Sequence, residues 1–117
     1  MAGVWQSASE TRIDSATLKL NGHDRFYGRS GKYFNVVQPY QHHTCSPLAG
    51  GGLYLYSFSL KPEEHQPSGS CNFSRIDNAQ FNFTGAFANT ASICKMFAVN
   101  YNILRVISGM AGLAYAN

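Results

Sequence analysis

Residues 53–60, LYLYSFSL, alternate with a period of two. In an extended chain Tyr54, Tyr56, Phe58 and Leu60 fall on one side, and Leu53, Leu55, Ser57 and Ser59 on the other. That spacing predicts a half-buried β-strand, central in its sheet, with Tyr56 and Phe58 directed into the core. Gly50-Gly51-Gly52 supplies a flexible turn into it.

The same period recurs on either side. Residues 15–20 alternate Ala16, Leu18 and Leu20 against Thr17 and Lys19, and Asn21-Gly22 directly afterwards is a strong hairpin signal. Tyr33 to Val37 and Gln38 to Thr44 read as extended segments, with Pro39 marking a bend or an edge because it cannot donate a ladder hydrogen bond. Pro62 to Gly69 is a polar loop, Asn72 to Ile76 and Gln80 to Thr84 read as strands, and Gly85 to Ser92 as a surface loop. Phe97, Val99 and Tyr101 alternate as a closing strand. Ile103, Val106, Ile107, Met110, Ala111 and Ala114 then fall at helical spacing, which predicts a short, irregular helical tail weakened by Gly109 and Gly112. Several short strands separated by turn signals predict an all-β sandwich or barrel.

Composition narrows the class. The 117 residues suit one small domain. Charged residues make up 13% and aromatic residues 14%, a balance that favours a packed β-rich domain over a disordered segment. The formal charge is +3, yet the nine Lys and Arg are scattered singly, without the clustering of a nucleic-acid footprint. Cys45, Cys71 and Cys94 form an odd set with no CxxC pair, which predicts free buried thiols in a reducing compartment. MAGVWQSASE lacks the basic and apolar pattern of a signal peptide, and no apolar run approaches the ~20 residues of a membrane span, so the chain is expected in the cytosol.

Few constellations carry chemistry. His42, His43, Cys45 and His65 form the metal-like grouping, but in an extended segment His42 and His43 face opposite ways, and only His43 and Cys45 share a side. The expectation is therefore no metal and no cofactor, with these histidines bonding to loops or lining a subunit contact. No GxSxG elbow accompanies His23, Asp24 and the serines, so no hydrolytic triad is expected. In GHDRF, Asp24 and Arg25 are suited to a charge-assisted pair beside the hairpin, with Phe26 in the core. Asn72-Phe73-Ser74 and Asn82-Phe83-Thr84 match the glycosylation sequon, a weak motif that needs a secretory context. Phe73, Phe81 and Phe83 read as core or interface aromatics.

Four stretches carry a family resemblance: GHDRF (Gly22 to Phe26), YFNVVQPYQHHT (Tyr33 to Thr44), HQPSGSCNFSRID (His65 to Asp77) and AVNYNILRVISGMAGLAYAN (Ala98 to Asn117). In order and spacing they resemble the C-terminal end of the major capsid proteins of large icosahedral DNA viruses of the phycodnavirus, iridovirus and mimivirus type. The resemblance covers residues 15–117 and leaves 1–14 as a leader. It implies a jelly roll, here the C-terminal and incomplete part of the second of two in tandem, and a subunit that trimerises into pseudo-hexagonal capsomers.

The function implied is structural and non-enzymatic: a building block of an icosahedral virion shell, assembled in the host cytoplasm. Its partners would be copies of itself in a homotrimer and other capsid proteins, with no specific nucleic acid and no small-molecule substrate. Structural or interface positions implied are His23, Asp24, Arg25, Phe26, Gln38, Pro39, Tyr40, His65, Pro67, Asn72, Arg75, Asp77, Tyr101 and Arg105. Arg75 or Asp77, near Glu63 and Glu64, is expected to make an ion pair, either buried and fixing a loop or a subunit register, or solvated at the surface. The alternatives are a truncated or minor capsid relative with no shell-forming role, a jelly-roll carbohydrate-binding module using exposed aromatics, and a metal-dependent cupin-like enzyme. The shortness of the chain implies missing upstream strands, completed by a longer polypeptide or a partner.

Overall fold

Strand β1 (Ile13–Leu20) organises the fold, and the turn after it follows from two residues. Asn21 (φ 51°) and Gly22 (φ 80°) both adopt the left-handed conformation, the signature of a tight two-residue hairpin turn. The turn returns the chain as β2 (His23–Ser30), antiparallel to β1. The computed structural model describes residues 13–45, 52–85 and 94–115. The expected Gly85 to Ser92 loop lies outside these apart from Gly85, as do Gly50 and Gly51 of the glycine turn and residues 1–12 of the leader.

On its other edge β1 pairs antiparallel with β3 (Ala79–Gly85), giving a three-stranded sheet in the order β2-β1-β3. The strands expected at Ser15 to Leu20 and Gln80 to Thr84 are β1 and β3. Ile13, Ala16 and Leu18 are buried, and Leu18 is fully enclosed. Opposite them Phe81 and Phe83 stack with centroids 6.0 Å apart. The β1–β2 register slips between Ala16 and Leu18, where Gly28 (φ 55°) donates its N–H to Thr17 Oγ1 at 2.9 Å. This is a glycine bulge, and it re-aims the second half of β2.

Tyr33 to Thr44 departs from the expected extended path. Tyr33–Val37 is a π-helical turn that runs directly into α1 (Gln38–His42). Pro39 explains the widening: in a regular α-helix its ring would press on the carbonyl four residues back, and it has no N–H to donate. The Gln38 N–H instead reaches Tyr33 O, five residues back. Phe34 and Gln38, one turn apart, point inward, while Val36 and Val37, whose β-branching suggests a strand, are exposed.

Residues 53–60 lie against this helical unit without joining a ladder among the described residues. The period of two survives with the faces exchanged. Leu55, Ser57 and Ser59 are buried, Tyr54, Tyr56 and Phe58 are half-buried, and Leu60 is 71% exposed. Serines occupy the inner face because their polar atoms are paired there. Ser57 N–H donates to Gln38 Oε1 (3.2 Å), Ser57 Oγ–H to Ser59 O (2.6 Å), and Ser59 N–H to Ser57 Oγ (3.1 Å). The core joins Ile13, Ala16 and Phe34, with Phe26, Tyr33, Tyr54, Tyr56 and Phe83 packed against it.

Two further elements correct the sequence reading. Asn72 to Ile76 is not a strand: Phe73–Arg75 forms a single 3₁₀ turn, capped by Asn72 Oδ1, which accepts the Ser74 N–H at 3.1 Å. The tail is not helical either. Leu104–Ile107 (β4) and Met110–Leu113 (β5) pair as a hairpin around Ser108 (φ 51°) and Gly109 (φ 77°). That Ser-Gly turn decides against the helix, since both residues are left-handed. Residues 97–101, expected as a closing strand, carry no ladder among the described residues, and Phe97 and Val99 are exposed.

Candidate functional site

Aromatic side chains form a connected run across one side of the molecule. Ring centroids lie 5.1 Å apart for Tyr33–Phe34, 5.2 Å for Phe34–Phe26, 4.9 Å for Phe26–Tyr56, 5.0 Å for Tyr56–Phe58 and 5.5 Å for Phe58–Phe73. The tilted and edge-on geometries are those that the ring quadrupole favours. Residues from β2, the helical unit, the 53–60 segment and the 3₁₀ turn thus share one scaffold. The half-buried Tyr56 and Phe58 are its middle, so their role is to join layers, not to fill the centre.

Buried polar groups fix the backbone around this run. Gln38 is 3% exposed; its Nε2 donates to Tyr33 Oη at 2.8 Å and its Oε1 accepts from Ser57 N–H. Pro39 beside it is fully enclosed, whereas Tyr40 is 83% exposed. Ser59 Oγ and Ser68 Oγ lie 2.9 Å apart, and Ser68 Oγ accepts the Lys61 N–H at 2.9 Å. The polar loop thereby closes onto the 53–60 segment.

A carboxylate clasp holds the end of α1. Glu63 accepts from His43 Nδ1–H (3.0 Å), Thr44 N–H (3.2 Å) and Thr44 Oγ1–H (2.7 Å). The hydrogen bonds from Thr44 and His43 hold the Glu63 carboxyl below its ordinary pKa. His43 Nε2 is buried without a hydrogen-bond partner among the described residues. His42 Nδ1 lies 2.9 Å from Leu60 O, which can only accept, so that nitrogen carries the proton. Both histidines therefore bond to neighbouring loops. His65 is exposed in the polar loop, and among the described residues no group of three or more His, Cys, Asp or Glu side chains converges on a point. The three cysteines are free thiols, but Cys45 and Cys94 are exposed and Cys71 is half-buried, not buried as expected.

Several expected charge contacts are not formed. Asp24 pairs with Lys19 at 3.8 Å and not with Arg25, because successive residues on a strand point to opposite faces. Arg75 and Asp77 are exposed and make no ion pair among the described residues; the ion pairs there are Lys19–Asp24, His43–Glu63 and Lys61–Glu64. The Asp77 backbone, by contrast, is held: Asn21 Oδ1 accepts both Asp77 N–H (3.0 Å) and Asn78 N–H (3.2 Å). His23, Pro67 and Arg105 are exposed, and Phe26 is half-buried against the core. Tyr101 is half-buried and donates its hydroxyl to Glu64 O at 2.6 Å, tying the C-terminal segment to the polar loop. The sequence reading missed Asn21, Glu63 and Ser68 as anchoring side chains. Only Asn21 carried a signal, through its place in the Asn-Gly turn.

Arg25, Arg29, Tyr33, His42, Tyr56 and Ser68 line a cleft of about 340 Å³ between β2 and residues 56–60. Arg29 lies over the Tyr33 ring, 5.2 Å from its centroid. Burial keeps the Tyr56 phenol protonated by raising its pKa, against the opposing effect of Arg25.

Beyond this face lies an apolar surface. Leu104, Val106, Ile107, Met110 and Leu113 of the β4–β5 hairpin are all more than 60% exposed. The register puts Leu104, Val106 and Leu113 on one face of the hairpin and Ile107 and Met110 on the other, so both faces expose apolar side chains.

Comparison with known proteins resolves what this scaffold belongs to. Residues 4–112 match the family described as large eukaryotic DNA virus major capsid protein, a match that begins ahead of Ser15. The chain belongs to that family. It is 58% identical to the major capsid protein of Chrysochromulina ericina virus, over 92% of this chain and 19% of that protein. It is 50% identical to capsid protein 1 of Acanthamoeba polyphaga mimivirus, over 98% of this chain and 21% of that one. Its fold superposes with a TM-score of 0.80, at 44% identity, on a chain of the quasi-atomic model of the PBCV-1 virus capsid, covering 96% of this chain and 32% of that one. The fold is thus that of a jelly-roll capsid protein, and the chain spans less than a third of the length of these relatives.

Proposed function

We propose that the chain serves as part of a structural subunit of an icosahedral virus shell. Residues 15–117 would form the C-terminal, incomplete portion of the second of two jelly rolls. In this reading the subunit is a homotrimer that forms a pseudo-hexagonal capsomer, contacts other capsid proteins, and is assembled in the host cytoplasm into the virion capsid. No catalysis, cofactor or nucleic-acid recognition enters the role; it needs rigid layers and self-complementary surfaces.

The observation that carries the reading is the superposition of 96% of the chain on a protein described as part of a virus capsid, at 44% identity. Two features support it. The apolar β4–β5 hairpin offers exposed side chains of the kind that an assembly covers, and the ring scaffold from Tyr33 to Phe73 binds the layers together. Within this role the exposed His23, Tyr40, His65, Pro67, Arg75, Asp77 and Arg105 are the positions for contacts between subunits. Gln38, Pro39, Phe26, Asn72 and Tyr101 hold the loops that present them. Asp24 and Arg25 stand between the two groups, at the sheet edge.

The test is to tag the polypeptide that contains this sequence and follow it through infection. The expected outcome is recovery in purified virion shells, with light scattering on the soluble full-length subunit giving three copies. Abundance in infected cells together with absence from purified virions would refute the shell role; a stable monomer would refute the trimer alone.

A further inference from the structure

The cleft between β2 and residues 56–60 carries two arginines among neutral and aromatic side chains. Arg25 and Arg29 line it together with His42, and none of the described residues lining it is acidic. Neither arginine makes an ion pair among the described residues, whereas the exposed Lys19 and Lys61 each have a carboxylate within 4 Å. Arg29 is exposed but lies over the Tyr33 ring, which holds its guanidinium at the cleft wall. Tyr56 lines the cleft with its phenol, whereas the Ser68 hydroxyl is taken up by Ser59 and Lys61. Two planar guanidinium forks and a phenol make a donor-rich surface with aromatic sides, and its natural complement is a carboxylate-bearing chain.

We propose that this cleft docks an acidic peptide segment of another capsid polypeptide, whose Asp or Glu side chains are received by Arg25 and Arg29. The partner's being a capsid protein rests on the function proposed above; the recognition of an acidic peptide rests on the cleft alone. At about 340 Å³ the space admits a short run of side chains and not a folded domain. β2 forms one wall and is an edge strand of its sheet among the described residues. Charge complementarity of this kind sets partner choice and speeds encounter.

The experiment is fluorescence anisotropy of a labelled peptide of alternating glutamate and serine, titrated with the full 117-residue chain, with a lysine-serine peptide alongside. The glutamate peptide binds and the lysine peptide does not. Arg25→Gln and Arg29→Gln each weaken binding by about tenfold, the loss expected for one charge-assisted hydrogen-bonded contact. Lys95→Gln, which removes the same charge from an exposed site outside the cleft, leaves binding unchanged. Circular dichroism of each variant checks that the fold is intact, and Arg25→Lys and Arg29→Lys, which keep the charge and lose the fork, recover only part of the affinity. Absence of binding by the unmodified chain, equal binding of both peptides, or an equal loss in Lys95→Gln would overturn the proposal. None of these outcomes bears on whether the subunit enters virions.

Discussion

Gln38 holds Ser57 from within the molecule: its Oε1 accepts the Ser57 N–H at 3.2 Å while its Nε2 donates to Tyr33 Oη at 2.8 Å. This buried amide joins the helical unit to residues 53–60, beside the Leu55 N–H to Phe34 O bond at 3.0 Å and the Asn35 Nδ2 to Leu53 O bond at 2.8 Å. Gln38→Leu keeps the volume and removes both bonds, leaving a buried N–H with no acceptor. The expected cost is about 1–3 kcal/mol. Urea denaturation followed by tyrosine fluorescence measures it, and an unchanged midpoint would show that water or another group replaces the amide.

Leu18 and Phe58 should separate clearly when each is cut to alanine. Leu18 has no exposed surface and sits between β2 and β3, so Leu18→Ala is expected to cost about 2–5 kcal/mol. Phe58 is half-buried and touches Tyr56 and Phe73, so its truncation falls below the ~3–5 kcal/mol of an enclosed phenylalanine. The same urea midpoints rank the two. A larger loss at Phe58 would restore the central placement that its alternation suggests.

Gly31 allows the chain to pass close to the start of β1. A Cβ there would collide with the Ile13 carbonyl, which is backbone and cannot rotate away. Gly31→Ala is expected to destabilise by about 1–3 kcal/mol through overpacking. An alanine variant as stable as the parent would mean that β1 shifts freely at its first residue.

What was readable in advance follows the locality of each signal. β1, its Asn-Gly turn and β3 are encoded in adjacent residues, by alternation and by a dipeptide that tolerates left-handed backbone. The Tyr33–Val37 turn was not readable, because Val36 and Val37 favour strands and the decisive partners, Tyr33 and Ser57 on Gln38, come from packing. In the tail, Ile103, Val106, Ile107 and Met110 fit a helix period by coincidence, and the Ser108-Gly109 turn was the stronger signal. For the candidate site, the candidate positions were named through the family motifs. Their partners were not: Asp24 binds Lys19 across the hairpin, and Asn21 holds Asp77 from far along the chain.

Acid should open the Glu63 clasp selectively. The Glu63 carboxyl is held below its ordinary value of 4.5 by hydrogen bonds from Thr44 and His43. A depressed folded pKa means that the clasp contributes its stability above the ordinary carboxylate range and loses it as pH falls through the lowered folded value. Glu63→Gln should therefore lower stability at neutral pH and leave the acid end, where the carboxyl is already protonated, nearly unchanged, so that the profile between them flattens. Carbon-detected NMR titration of the Glu63 carboxyl reads the shift directly; a midpoint at or above 4.5 would contradict the clasp.

Left by itself, the chain should associate. In the β4–β5 hairpin Leu104, Val106, Ile107, Met110 and Leu113 are all exposed, and a two-stranded hairpin has little stability of its own. β2 and β3 also leave the outer edges of their sheet uncovered among the described residues. Only 13% of the residues are charged, so electrostatic repulsion opposes self-contact weakly. Apolar contact between copies is the available route to bury these faces. Val106→Lys with Met110→Lys should shift the chain toward monomer, and co-expression with the rest of a capsid subunit should raise its solubility by covering the same surface. Gel filtration with light scattering decides: a monodisperse species of 12.9 kDa with cooperative unfolding, obtained without those substitutions, would show that the hairpin is tolerated in water and that the chain is complete enough to stand alone.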